Sequence, residues 1–200
     1  AVAQWGDNRA GAVPLVLRGL RGLVMVLAPL FCGLALLATL AVKLLLGPSW
    51  AATGPILALL APAGFFLCLY SFVGAVLMGL GRSAQQLRLI LLSGIGIGAG
   101  ILIGAHYGAE GVAAGMSIGA ALVAPAYLRV LSTQLAIATS RIAAEAALPV
   151  LATAGMVLAV AALGRQIAAW DGWVQLAALI LCGALSFVLL LAATSWRRLA

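Results

Sequence analysis

The sequence predicts an all-α, polytopic transmembrane helix bundle of about six spans. Of its 200 residues, 66% are hydrophobic and 8% are charged, whereas a soluble domain is about half apolar and about a quarter charged. Most of its apolar runs exceed the roughly 18 residues that indicate a membrane-spanning helix. The runs also lack the alternation of every second residue that the strands of a membrane barrel show. These three observations exclude a soluble domain and a barrel.

The apolar runs are separated by short segments rich in glycine, proline and charge. The first run ends at Gly47, the second is broken at Gly81, and the third ends in a turn that contains Gly108. An amphipathic lead over 1–21 precedes the bundle, which covers 22–194, and a short tail over 195–200 follows it. We place the six spans at about 22–46, 54–80, 87–105, 111–131, 146–163 and 174–194.

The basic residues give the expected orientation of these spans. Six spans return the C-terminus to the side of the N-terminus, and only Lys43 and Arg165 then fall on the opposite side. Positive charge in short loops marks the cytoplasmic side, so we expect both ends of the segment to be cytoplasmic. The net charge of +7 thus reflects topology and attraction to the headgroups of membrane lipids, and we expect no nucleic acid partner. The basic residues on the N-terminal side are Arg9, Arg18, Arg21, Arg82, Arg88, Arg129, Arg141, Arg197 and Arg198.

The large polar aromatics support the same spans. Every tryptophan lies outside a predicted span or at its edge, and Tyr107 and Tyr127 lie near span boundaries. Such residues form belts at the two membrane interfaces. The tryptophans are Trp5, Trp50, Trp170, Trp173 and Trp196.

The sequence offers no pattern for catalysis or metal binding. His106 has no second histidine or cysteine nearby, as a zinc site would require, so we interpret it as a solvated interfacial side chain. The three cysteines have no CxxC spacing, and we expect buried, inert thiols. Paired carboxylates at membrane depth are absent from the sequence. We therefore expect no enzyme activity, no metal site and no cofactor.

A glycine-rich stretch over 93–100 resembles a nucleotide-binding loop in composition. No strand precedes it, and it lies inside a predicted span, so the structural context of such a loop is missing. Its glycines recur instead at the four-residue spacing that lets two membrane helices approach closely. We expect the third and fourth spans to pack through Gly94, Gly98, Gly100, Gly104, Gly111, Gly115 and Gly119.

Three polar residues are candidates for a substrate cavity. Lys43 lies about one turn before the end of the first span, and Arg129 lies near the cytoplasmic end of the fourth. Ionisable residues in membrane spans are functional candidates, although both side chains could instead extend to the interface. Tyr70 is a further candidate at depth, where polar groups also form hydrogen bonds between helices.

The order of these features resembles a known family. A basic lead precedes a span with Pro29, that span ends in the Leu46–Trp50 segment, and the second span closes on Gly81-Arg82. Further on, Gly108 forms a turn before the fourth span and Pro149 starts the fifth. This arrangement resembles the C-terminal half of polysaccharide flippases, the O-antigen and lipopolysaccharide exporters of the multidrug/oligosaccharidyl-lipid/polysaccharide superfamily.

The resemblance implies a transporter of two related lobes, of which this chain supplies one. The first methionine is Met25, and we expect the chain to be the tail end of a longer protein with an N-terminal lobe missing here. The substrate implied is a lipid-linked oligosaccharide, a repeat unit for polysaccharide or lipopolysaccharide biosynthesis. It would be flipped across the bacterial inner membrane by alternating access between the lobes.

Several other functions remain open on the sequence. A multidrug exporter and a lipid II flippase belong to the same superfamily, although the Gly47 turn and the Gly81-Arg82 pair favour the polysaccharide branch. A membrane-embedded polymerase or glycosyltransferase of the same pathway would usually need a long outer loop or a polar catalytic site. A purely structural membrane subunit is a further alternative.

Overall fold

Six long helices joined by short connections make up the protein. The computed structural model describes residues 9–167 and 169–196, and the side chains within 13–167 and 169–192. Helices α1 to α6 account for nearly all of this part, which contains no strand. This confirms the predicted all-α polytopic bundle. The helices are α1 Arg9–Leu45, α2 Thr53–Gly79, α3 Ser83–Ala105, α4 Gly108–Leu135, α5 Thr139–Gln166 and α6 Gly172–Trp196, with a 3₁₀ turn at Pro48–Trp50.

All six helices are long and apolar enough to cross a membrane. Many large apolar side chains point away from the bundle, among them Ile95 at 72% exposure and Leu122 at 75%. Such a surface is stable in contact with hydrocarbon and unstable in water. The chain is therefore a multi-pass membrane protein. Because helix α1 continues from Arg9 through the predicted lead without a break, helix ends do not mark the membrane boundaries, and the span limits stay predictions.

Three glycines form the first three connections between helices. Gly47, Gly81 and Gly108 have φ values of 88°, 70° and 77°, a region that side chains with a Cβ rarely enter. The ψ of 174° at Gly47 completes a conformation that is essentially restricted to glycine. These tight connections reverse the chain, so that consecutive helices run antiparallel.

Two hydrophobic cores lie side by side in the bundle. The first is formed by α2, α3, α4 and the first half of α1, and includes the fully buried Leu20, Leu77 and Leu131. The second is formed by α5 and α6, with Met156 and Val160 at its centre, and by the second half of α1. Helix α1 thus joins the two cores along its length.

The packing of α2 on α4 depends on side-chain bonds near two prolines. Pro62 removes one backbone donor from α2. Beside it, the Ser117 hydroxyl of α4 donates to the Leu59 carbonyl at 2.5 Å and accepts from the Ala63 N–H at 3.2 Å. In return, the Tyr70 hydroxyl of α2 donates to the Ala120 carbonyl of α4, five residues before Pro125. Ser117 thus bonds the α2 backbone at its proline break, and Tyr70 bonds an α4 carbonyl next to that of Ala121, the carbonyl that Pro125 leaves without its intrahelical donor.

The exposed aromatics collect at one end of the bundle. Trp50, Trp170 and Trp173 are 53–56% exposed and Tyr107 is 79% exposed, all at the end where α1, α3 and α5 finish. Tyr127 is an exception to the predicted belt, because it is 3% exposed and stacks on Tyr70 with ring centroids 4.0 Å apart. Its hydroxyl donates to Ser93 at 3.3 Å, so it belongs to the core. Trp5 and the side chain of Trp196 lie outside the described residues.

Candidate functional site

A groove of about 570 Å³ lies where the two cores meet. It runs between α1, α2 and α5, and its wall on α2 follows the proline break. Its α1 wall combines Phe31 with small side chains, while α2 contributes Phe65 and Phe66, whose rings meet edge to face at 74° with centroids 5.5 Å apart. Residues that define its three walls include Ala28, Cys32, Ala35, Pro62, Thr153 and Val157.

The chemistry of the groove is almost entirely apolar. Its lining contains no charged residue, and its polar members are Cys32 and Thr153. The Thr153 hydroxyl donates to the Pro149 carbonyl at 2.8 Å within α5, so its hydrogen is not directed at a ligand. A surface of this kind excludes sugars and ions, whose polar groups would lose their hydrogen bonds with water. It accommodates hydrocarbon.

One ion pair joins the first helix to the fifth below this groove. Arg21 and Glu145 approach to 3.9 Å, with side chains about one third exposed. Arg21 is seven residues before Ala28, so the pair lies about 10 Å from the groove along α1. Partly solvated pairs of this geometry contribute about 1 kcal/mol or less to stability. The pair is therefore a contact between α1 and α5 that adds little to the stability of the bundle.

The three predicted cavity residues are not brought together. Lys43 is exposed in the last turn of α1, and Arg129 is exposed near the C-terminal end of α4, so the two cations lie at opposite ends of the bundle. Tyr70 is 6% exposed and bonded to the α4 backbone. None of the three lines the groove.

The glycines of α3 and α4 lie in two groups. A Cβ on Gly100 would overlap the Gly115 carbonyl, and one on Gly104 would overlap the Gly111 carbonyl. A Cβ on Gly119 would lie 2.6 Å from the Gly96 carbonyl oxygen. By contrast, a Cβ on Gly94 or Gly98 would meet nothing within 4 Å. The structure thus brings five of the seven predicted glycines, together with Gly96, into direct backbone contact.

The remaining candidates from the sequence are the histidine and the three cysteines. In the described part of the chain, no group of three or more His, Cys, Asp or Glu side chains could hold a metal ion. His106 is exposed, with Nδ1 3.2 Å from the Leu102 carbonyl of its own helix. The three cysteines are half-buried free thiols.

Sequence reasoning missed the groove and its aromatic wall. The adjacent Phe65 and Phe66, one turn after Pro62, were the available signal. That signal is weak, because aromatic residues in a membrane span also face lipid or fill a core. The groove depends on how α5 meets α1 and α2, which are distant from it in sequence, and no local pattern reports that contact.

Six apolar spans, a charge-free groove and glycine-packed helices define a polytopic membrane bundle. No protein-family model matches the sequence, and no curated protein matches it. Among solved structures, the fold is similar to that of the lipid II flippase MurJ in its inward closed conformation, with a TM-score of 0.79 and 15% sequence identity. The match covers 99% of this chain and 42% of that one. The chain therefore has the fold of less than half of that flippase.

Proposed function

We propose that the chain is one lobe of a flippase that moves a lipid-linked oligosaccharide from the cytoplasmic to the outer leaflet of the bacterial inner membrane. The observation that carries this proposal is the likeness of nearly the whole chain to 42% of a lipid II flippase. The resemblance of the sequence to polysaccharide flippases supports the same class of transporter. In this proposal a second lobe completes the transporter, and both ends of the chain are cytoplasmic.

The chemistry of the bundle interior supports a path for the glycan along the outside of the bundle. In the part of the chain that the structure describes, the buried hydroxyls of Ser117, Ser132 and Thr153 are bonded to the backbone. The buried hydroxyls of Tyr70 and Tyr127 are bonded to Ala120 and Ser93. A sugar inside the bundle would therefore find few partners for its hydroxyl groups, at a large cost in free energy. We infer that the glycan passes along one face of the bundle, between it and the second lobe.

Such a route requires a bundle that moves as a body. Helices α3 and α4 are joined by backbone contact between glycines, and α2 is joined to α4 by the Ser117 and Tyr70 hydroxyl bonds. These contacts favour rocking of one bundle against another, a common form of alternating access. No covalent bond of the substrate changes in this mechanism.

Lys43 is our candidate for contact with the anionic part of the substrate. It is exposed at the end of α1, where it can reach a phosphate on the face of the bundle. We expect Lys43→Ala to lower export and Lys43→Arg to retain it, because the arginine keeps the positive charge. Normal export by Lys43→Ala would leave Lys43 as a side chain that only extends to the interface.

Two glycan substrates are supported by different observations. The motifs around Gly47 and Gly81 favour a repeat unit of surface polysaccharide, and the fold favours lipid II. Depletion of the whole gene product distinguishes them. Accumulation of lipid-linked repeat units on the cytoplasmic face, with loss of surface polysaccharide, supports the first substrate. Accumulation of lipid II with weakened cell walls supports the second. If neither lipid accumulates, the proposed function is wrong.

A further inference from the structure

The groove between α1, α2 and α5 is open to the outside of the bundle. Val150 and Leu158 on its α5 wall are 48% and 71% exposed, and Pro62 on the opposite wall is exposed as well. The lining extends over nine residues of α5, from Val150 to Leu158, a length of about 12 Å at the rise of an α-helix. A single hydrocarbon chain entering from the bilayer fits this shape and chemistry.

The face of α1 that forms the groove wall also carries basic residues toward the N-terminal end of the helix. Ala28, Cys32 and Ala35 follow Arg21 at 7, 11 and 14 residues, so each lies within about 40° of Arg21 around the helix. Arg18, one turn earlier, is exposed near the same line. A ligand chain in the groove would therefore bring its head to Arg18 and Arg21.

This end of the groove carries an excess of positive charge. Glu145 pairs with Arg21, while Arg18 and Arg141 have no ion-pair partner among the described residues. In the first two turns of α5, Glu145 is also the one acidic residue. Basic pockets between membrane helices bind the phosphate groups of lipids. Charge and groove together select an anionic lipid.

We propose that this groove holds one hydrocarbon chain of an anionic phospholipid whose phosphate contacts Arg18 and Arg21. The proposal does not rest on the transport activity, because it concerns a lipid resident in the seam between the two cores. It assigns the groove to a structural lipid that fills the space where α5 and α2 fail to meet.

The test uses phosphatidylglycerol with a photoreactive group on its acyl chain. The whole protein is reconstituted in phosphatidylcholine vesicles that contain this probe, and the labelled peptides are mapped after irradiation. We expect labels on the groove walls of α1, α2 and α5. A phosphatidylcholine probe with the same acyl chain should label these walls about fivefold less, as expected for the loss of one charge contact near the surface.

Two pairs of variants test where the acyl chain and the headgroup of the lipid bind. Ala154 is an exposed residue of the groove, and Ala154→Trp should fill the space and remove most of the labelling. Ala161→Trp is its control, because Ala161 is exposed on nearly the same face of α5 two turns beyond the groove. Arg18→Gln should abolish the preference for the anionic probe. Arg129→Gln, an exposed arginine on α4, should keep it.

Three outcomes would overturn the proposal. Labels spread over the lipid-facing helices would show that the groove has no preferred occupant. Equal labelling by both probes would remove the role of the arginines. Displacement of the probe by a lipid-linked saccharide would assign the groove to the transported substrate. If Ala154→Trp does not fold, the label map of the unsubstituted protein decides, since it needs no variant.

Discussion

The α3–α4 and α5–α6 hairpins have the same topology and close in different ways. Gly100 and Gly104 face Gly115 and Gly111, so the α3 and α4 backbones touch over about two turns. In the second hairpin each glycine faces a large side chain. Gly155 meets Leu190, and Gly183 meets Val160 and Met156. Glycine opposite glycine gives backbone contact, whereas glycine opposite a large residue gives ordinary side-chain packing.

This difference separates a closely packed part of the bundle from a looser one. Helices α2, α3 and α4 are tied by backbone contacts and by the Ser117 and Tyr70 hydroxyls. Helices α5 and α6 meet the rest mainly through α1, and the groove lies at that seam. Membrane helices gain little from the hydrophobic effect when they associate, so contact geometry determines which part is rigid.

The largest expected effect comes from adding one methyl group to the first hairpin. Gly115→Ala places a Cβ against the Gly100 carbonyl, and the two helices must separate. We expect a loss of about 3 kcal/mol in the free energy of unfolding, the upper part of the range for overpacking. Thermal unfolding in detergent, followed by helical circular dichroism, measures it. Gly98→Ala is the control and should be neutral or slightly stabilising, because its Cβ meets nothing within 4 Å and alanine has the better helix propensity. Equal stability of both variants would refute the backbone contact.

Ser117→Ala tests the hydroxyl bond at the proline break of α2. The variant removes the hydroxyl that donates to the Leu59 carbonyl and accepts from the Ala63 N–H. We expect a loss of about 1–2 kcal/mol in the free energy of unfolding. Ser186→Ala is the matched change in the second hairpin, since that hydroxyl bonds the Gly183 carbonyl of its own helix at 3.1 Å. We expect its unfolding temperature to be nearly unchanged. Similar losses for the two serines would remove the distinction between the hairpins.

A substitution in the connection between the two hairpins should stabilise the protein. Ala136 ends α4 with a φ of 52°, a left-handed conformation that costs an L-residue about 1 kcal/mol. Ala136→Gly should recover about that amount, and the same thermal unfolding experiment detects it. A lower unfolding temperature would mean that the loop does not adopt this conformation in the membrane protein.

The smallest effect is expected within the second hairpin. A Cβ on Gly183 would lie 3.4 Å from Val160 Cγ2, which is an ordinary contact. Gly183→Ala should therefore be neutral or stabilise by about 0.5 kcal/mol through the better helix propensity of alanine. A loss comparable with that of Gly115→Ala would show that both hairpins close by backbone contact.

The sequence predicted the helical bundle because hydropathy alone specifies long spans. It also indicated that α3 and α4 pack through glycines, but it left their face ambiguous. Glycine occurs at every second position from 94 to 100, which gives the four-residue spacing on two faces about 200° apart. Only the position of α4 selects Gly96 and Gly100 over Gly94 and Gly98.

The candidate site was harder to predict from the sequence than the fold. Tyr70 is polar at membrane depth whether it lines a cavity or bonds a neighbour, and its contact with Ala120 depends on α2 lying beside α4. The motifs around Gly47 and Gly81 occupy positive-φ turns. The glycines in them are therefore explained by the way the chain reverses, and what these motifs indicate about the substrate rests on the family resemblance alone.

The most direct test of the account is transport by the whole protein in reconstituted vesicles. A fluorescent lipid-linked oligosaccharide is placed in one leaflet, and its accessibility to a membrane-impermeant quencher is followed with time. If the chain is a lobe of such a flippase, the lipid redistributes between the leaflets at a rate that rises with the amount of protein and falls in Lys43→Ala. A distribution identical to that of protein-free vesicles, with the protein folded and inserted, would contradict it.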